Sequence, residues 1–253
     1  MDGQFVMRCK SGYKPRALLL PLALLLLSGL PAHPCRADSP WSASIDATTD
    51  YIFRGVSQTY DSGALQLGAN YQSSLGWFAG VWASNVNPYP HAGSSTELDL
   101  YAGFAQPLGA DFSTRVAYTH YAYLDDPRPA RYDYDEVALS VAYVDRLAAT
   151  LSYEPDSSAY STLGFAQRRP TGALELTGRW PLCADFALTG GAGYYNLQRL
   201  FGTSYWAADV GLAYVYRRVT IEVSRFFAES TVERLFEDQS ANGTWTVSAS
   251  LRF

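Results

Sequence analysis

The feature that most limits how this chain folds is a strict two-residue alternation. From Trp41 to Arg54 the odd positions are Trp41, Ala43, Ile45, Ala47, Thr49, Tyr51 and Phe53. The even positions are Ser42, Ser44, Asp46, Thr48, Asp50, Ile52 and Arg54. Successive side chains of a strand point to opposite faces, so this segment has one apolar and one polar face, with Ile52 as the exception. The C-terminus repeats the pattern. Trp245, Val247, Ala249, Leu251 and Phe253 share one face, while Thr244, Thr246, Ser248, Ser250 and Arg252 share the other.

Ten further alternating segments lie between these two, at 64–72, 77–85, 96–106, 111–123, 134–143, 148–154, 173–180, 185–195, 204–214 and 218–228. The total is about 12 strands. Their connections alternate in length. Short turns such as "SSLG", "PLGA", "VDRL", "PLCA" and "YRR" interleave with "GVSQTYDSG", "VNPYPHAGSS" and the longer stretches 124–133, 155–172 and 229–242. All long loops therefore fall at one end of the strands, as in outer-membrane barrels with short periplasmic turns. "QPLGADF" (106–112) and "WPLCADF" (180–186) echo one another at equivalent short turns. The stretch 155–172 is expected either to hold an extra hairpin or to extend the wall.

A soluble β-sandwich alternates too, but its apolar face carries large residues anywhere along the strand. Here the outward residues nearest the short turns are Trp41, Tyr71, Trp77, Phe104, Phe112, Tyr143, Trp180, Phe186, Tyr214 and Phe253, an expected aromatic girdle. The middle of the same face is Leu, Val and Ile, for example Leu67, Val81, Leu139 and Val210. Lipid offers the backbone no hydrogen-bond partner, so such a sheet must close. The expected fold is all-β, a closed antiparallel transmembrane β-barrel in contact with the lipid bilayer. Twelve strands enclose more room than eight, which side chains fill, and less than the 16–18 of wide porins.

The N-terminus fits this reading. Arg8, Lys10, Lys14 and Arg16 precede the apolar run "ALLLPLALLLLSGL" (17–30), as in a secretion signal. The run is too short for a membrane helix. Residues 1–37 are expected to be a cleaved signal peptide, with Met7 as an alternative start, and residues 38–253 the barrel. Pro34 before Cys35 argues against a lipid anchor. Removing 1–37 takes five basic residues and one acid from 19 and 24, leaving 14 arginines against 23 acids, a net charge of −9. An acidic chain without a basic cluster argues against nucleic acid as a partner. Cys183 alone remains of three cysteines, which excludes an internal disulfide framework. No cofactor or metal is expected. Asp125 and Asp126 read as solvated loop acids, and the Gly-rich "TGGAGYY" (189–195) as close packing inside a barrel.

By parity the polar face carries Asp46, Asp50, Arg54, Glu97, Asp99, Arg115, Glu136, Glu175, Arg179, Asp209, Glu222 and Arg252. Two roles are open to these residues. They knit the interior with ion pairs, or they line a water-filled lumen whose charge filters solutes, with acids favouring cations. Arg54 ends the first strand at the external side, where Gly55 lets the chain turn. It is expected to pair with acids of neighbouring loops such as Asp61 or Glu237, or to guard the external mouth.

"DYIFRGVSQT" (50–59), "LGWFAGVWASNV" (75–86), "STELDLYAGF" (95–104) and "YDYDEVALS" (132–140) together resemble the TorF-type porin family of bacterial outer-membrane proteins. The resemblance is good over about 43–143 and looser beyond. It implies an outer-membrane barrel and a pore, and no particular substrate. The terminal Phe253 after an alternating strand resembles the C-terminal signal read by the barrel-assembly machinery.

The leading functional expectation is a porin-like channel for passive diffusion of small polar solutes or ions through a charged lumen, without enzymatic activity. Two alternatives stand beside it. One is a barrel enzyme acting on lipids at the outer rim, which needs a nucleophile, a base and an orienting group. For this the mature chain offers only His91, in a loop, and His120, on the outward face beside Tyr118 and Ala122. The other is a plugged barrel serving as a surface receptor or adhesin.

Overall fold

A computed structural model describes residues 39–87, 95–124, 133–144, 146–159, 167–183, 185–236 and 239–253. The expected signal segment 1–37, His91, Asp125, Asp126 and Glu237 lie outside them. The elements in chain order are β1 (Trp41–Thr48), β2 (Ile52–Phe53), β3 (Val56–Ser57), β4 (Ala64–Gln72), β5 (Trp77–Val86), β6 (Ser95–Leu108) and β7 (Phe112–Leu124). They continue with β8 (Tyr134–Tyr143), β9 (Leu147–Ala159), β10 (Gln167–Pro181), β11 (Phe186–Leu197), α1 (Gln198–Phe201), β12 (Thr203–Tyr216), β13 (Val219–Ala228), α2 (Ser230–Phe236) and β14 (Trp245–Arg252).

Twelve of these strands form one closed antiparallel barrel, each paired with its sequence neighbour and β1 with β14. The remaining two, β2 and β3, pair only with each other. The seam aligns Ser44 with Arg252 and Thr48 with Ser248, and the Phe253 N–H donates to the Ala43 carbonyl at 3.0 Å. The described parts of 155–172 extend the wall, since β9 runs to Ala159 and β10 starts at Gln167, and residues 160–166 lie outside the described residues. Their register shifts between Arg169 and Thr171, where Pro170 has no N–H to give the ladder.

The burial pattern is inverted relative to a soluble protein. Leu67, Leu100, Leu139, Leu151, Leu176, Val210 and Val247 stand exposed on the outside, Leu151 at 59 %. Asp46, Glu97, Asp99, Glu136 and Glu222 are buried inside. Exposed large apolar residues stand on every wall strand, a continuous band unlike the limited apolar patches of a soluble monomer. An apolar medium is the covering this surface requires.

The first strand departs from expectation. The alternation runs on to Arg54, but β1 leaves the wall at Thr48. The Thr48 hydroxyl donates to the Asp50 carbonyl at 2.8 Å and accepts from the Asp50 N–H at 3.4 Å, closing a local turn that competes with the ladder. Ile52, which breaks the alternation, already belongs to the separate β2. Asp50 and Arg54 therefore face the interior from a segment folded into it, not from the wall.

Candidate functional site

The segment after β1 forms a two-residue hairpin inside the barrel. Ile52 faces Ser57 and Phe53 faces Val56, so Arg54 and Gly55 are its central residues. Both have positive φ, 51° and 78°. That is the turn whose twist matches paired strands, and it requires positive φ at both positions. Gly55 takes it freely, whereas Arg54 does so at a cost of about 1 kcal/mol or more. Gly55 has a second reason to be glycine. A Cβ there would lie 2.6 Å from the Ala207 Cβ on β12.

The strained tip delivers a guanidinium to the far wall. Around the ring, β9 stands six strands from β1 in either direction. Arg54 ion-pairs with Glu154 on β9, with Glu136 on β8 at 2.5 Å and with Glu175 on β10 at 3.6 Å. All four side chains are largely buried. The guanidinium also lies 4.8 Å from the Phe53 ring centre and 5.7 Å from that of Tyr195. Burial opposes its charge, but Glu136, Glu175 and Glu154 outweigh that and hold Arg54 protonated well above the ordinary arginine range. Among the described residues three glutamates across the lumen stand where Asp61 was expected, and the other expected partner, Glu237, lies outside the described residues. Alternation places a residue on a face; it does not say which distant strand that face meets.

The hairpin is fastened along its length. Ser57 and Thr59 donate their hydroxyls to Asp50 Oδ1 at 2.6 and 2.8 Å. Burial nevertheless raises the Asp50 carboxyl above its usual range, with the two hydroxyls pulling the other way. The Tyr205 hydroxyl donates to the Arg54 carbonyl at 3.0 Å, the Ala241 N–H to the Gly55 carbonyl at 3.0 Å and Gln239 Nε2 to the Ser57 carbonyl at 2.9 Å. Val56 packs with Tyr195, Tyr205, Ala207 and Val232, while Tyr51 meets the Trp82 ring edge-on at 5.5 Å.

The other inward charges have distinct settings. Arg252 bonds Asp46 at 3.2 Å, and Arg115 stacks 3.9 Å above the Phe78 ring. Glu222 accepts from Thr189 and Ser224 at 2.8 and 2.9 Å, and Glu175 from Tyr195 at 3.1 Å. Glu97 accepts from Tyr123 at 3.1 Å, and its neighbour Asp99 is 1 % exposed. Glu154 was absent from the sequence-derived set, although parity along 148–154 places it inward. Its carboxylate also accepts from the hydroxyls of Ser157 and Thr171. Inward aromatics were missed as well. Phe78, Trp82, Tyr101, Tyr121, Tyr195 and Tyr205 are buried within. Gly103 supplies a flat seat beneath Phe78.

Beneath the hairpin lies a cavity of about 200 Å³. Asp46, Asp50, Asp99, Glu175, Asp209 and Glu222 line it, with Arg54, Arg179, Trp82, Tyr121 and Phe226.

Outside, the aromatics near the short turns meet in cross-strand pairs. Trp41–Tyr71, Trp77–Phe104, Phe112–Tyr143 and Phe186–Tyr214 have ring centres 5.0–5.1 Å apart. Trp180 carries Arg146 at 5.4 Å over its ring, and Phe253 is exposed at the terminus. A second set of outward aromatics, Tyr118, Tyr153, Tyr194, Trp206 and Trp245, stands toward the long-loop end. Near it His120 Nδ1 lies 2.8 Å from Asp135 Oδ1, which also accepts from the Tyr118 hydroxyl at 2.7 Å. Among the described residues His120 has Asp135 as its side-chain partner.

A family model described as "Bacterial protein of unknown function (Gcw_chp)" matches residues 35–249. None of the curated proteins matches the sequence. Among solved structures, the NanC porin is similar with a TM-score of 0.57 at 9% identity, over 83% of this chain and 98% of that one. The KdgM porin gives 0.52 at 12% identity, over 84% and 99%, and its complex with disordered oligogalacturonate gives 0.51 at 12% identity. At such identity the likeness concerns the fold, which is that of a porin barrel.

Proposed function

The chain belongs to the Gcw_chp family of bacterial proteins of unknown function, and we propose that it is a porin-like channel of the bacterial outer membrane. It passes small polar solutes or ions by diffusion through a charged lumen narrowed by the hairpin. TorF-type porin is the finer family label of this reading. Residues 1–37 direct export and are removed. The barrel-assembly machinery recognises the strand ending at Phe253.

The observation that carries the proposal is the inverted barrel, apolar between two outward aromatic rows and charged within. Phe186 and Tyr194, like Trp245 and Phe253, lie eight positions apart. At about 3.3 Å per residue and a tilt near 40°, that is roughly 20 Å of height. The height suits the apolar band of an outer-membrane barrel, so the ten short-turn aromatics act as one interfacial girdle.

The interior charges bear on the solute. Adding Glu154 to the eight acids read from the sequence gives nine against four arginines. The structure named for KdgM holds an oligogalacturonate, an acidic saccharide. Such a solute would meet an acidic wall here, so cations are the favoured class. Refolded residues 38–253 in a planar bilayer under a salt gradient should show discrete openings with a cation-selective reversal potential. A correctly folded barrel that stays silent in every preparation would end the channel reading.

A further inference from the structure

We infer that the cavity beneath the hairpin is a binding site for a small organic cation bearing an ammonium or guanidinium group. The mode of arrival rests on the channel reading; the site itself stands on four observations.

The first is unmet hydrogen-bonding capacity. Asp46 Oδ2, Asp50 Oδ2 and Asp99 Oδ1 are buried without a hydrogen-bond partner among the described residues; Glu175 Oε2 also lacks one, though the Arg54 guanidinium lies 3.6 Å from it. All four residues line this one cavity, from β1, the hairpin, β6 and β10. Asp46, Asp50 and Asp99 are each more than nine-tenths buried. Buried carboxylate oxygens are expensive to leave without a donor or a counter-charge.

The second is charge balance. Six acids line the cavity, but Glu175 already has Arg54 at 3.6 Å and Asp46 has Arg252 at 3.2 Å. With those two pairs set aside, Asp50, Asp99, Asp209 and Glu222 face one remaining arginine of the lining, Arg179, so acids still outnumber cations there. The third is the chemistry of the walls. Trp82, Tyr121 and Phe226 contribute ring surface, which attracts organic cations. The volume of about 200 Å³ exceeds the roughly 30 Å³ share of one water several-fold. The fourth is an internal precedent. The Arg54 guanidinium already sits in this interior between carboxylates and aromatic rings, so the barrel accommodates that group.

Agmatine, which carries a guanidinium and an amine, is the probe. It is titrated by calorimetry into refolded residues 38–253 in detergent, with glucose and galacturonate as neutral and acidic controls. Saturable agmatine binding is expected at millimolar or tighter affinity, with neither control binding. The double variant Asp46→Asn, Asp99→Asn should weaken it at least tenfold while the barrel keeps its heat-dependent gel shift. If that variant does not fold, Asp209→Asn at the opposite wall serves in its place with a weakening of several-fold. Absence of saturable binding, or binding that these substitutions leave unchanged, overturns the inference. Conductance is read separately. A barrel that conducts but binds no agmatine refutes this site and keeps the channel; one that binds but never conducts keeps the site and refutes the channel.

Discussion

At the scale of single residues, Arg54 explains the most. It accepts a left-handed backbone, crosses the lumen and neutralises part of a three-glutamate cluster. Removing one partner of a buried ion pair leaves the others uncompensated, at about 3–5 kcal/mol. Arg54→Ala should therefore lower unfolding stability in urea by about 3 kcal/mol and raise single-channel conductance. Arg54→Lys should recover only part of each, because an ammonium does not fork between carboxylates. An unchanged denaturation midpoint in Arg54→Ala would contradict a stabilising role for these ion pairs. Asp50 predicts a pH dependence. Its folded carboxyl lies above the unfolded value near 3.8, so the folded state holds the proton more tightly. Its contribution is fully present below that value and is lost as pH rises through the folded one. Asp50→Asn keeps the Oδ1 acceptor for Ser57 and Thr59 without the charge. Its melting temperature relative to the native chain should rise between pH 4 and pH 7. A constant difference across that range would mean Asp50 does not titrate in this setting.

At the scale of elements, the hairpin depends on its seat against β12. Gly55→Ala introduces both a disfavoured φ and a 2.6 Å approach to Ala207. The hairpin should lift from the wall, with conductance increased and strand content by circular dichroism unchanged; unaltered conductance would show that the hairpin does not restrict flow. The wall itself was legible in the sequence, because each strand repeats a local period and each short turn punctuates it. β4 and β8 match their expected bounds to the residue. The hairpin was not legible. Residues 49–54 keep the same alternation as the wall, and only Ile52 hints that the backbone has left it. The cavity was partly legible. Parity supplied Asp46, Asp99 and Glu175 for its walls, while Trp82, also on a wall strand, went unnoticed because attention to the apolar face assigned large rings to the lipid side.

At the scale of the whole molecule, charge is sorted by radius: leucines and valines outside, carboxylates inside. If that excess of acids governs permeation, Asp209→Asn with Glu222→Gln should move the reversal potential toward zero under a salt gradient while leaving the gel shift of the folded barrel intact. A reversal potential that does not move would assign selectivity to another level of the lumen. The ring also has a chronology. β1 is made first, yet its outer partner β14 is the last strand of the chain, and the carboxylates that receive Arg54 lie 82 to 121 residues downstream. Gln239 and Ala241, just before β14, hold the same hairpin from the other side of the seam. The tip of the earliest segment thus waits for the middle of the chain to anchor it and for the end of the chain to clasp it. Latching is possible only once the circle is complete, which makes the hairpin a report that assembly has finished.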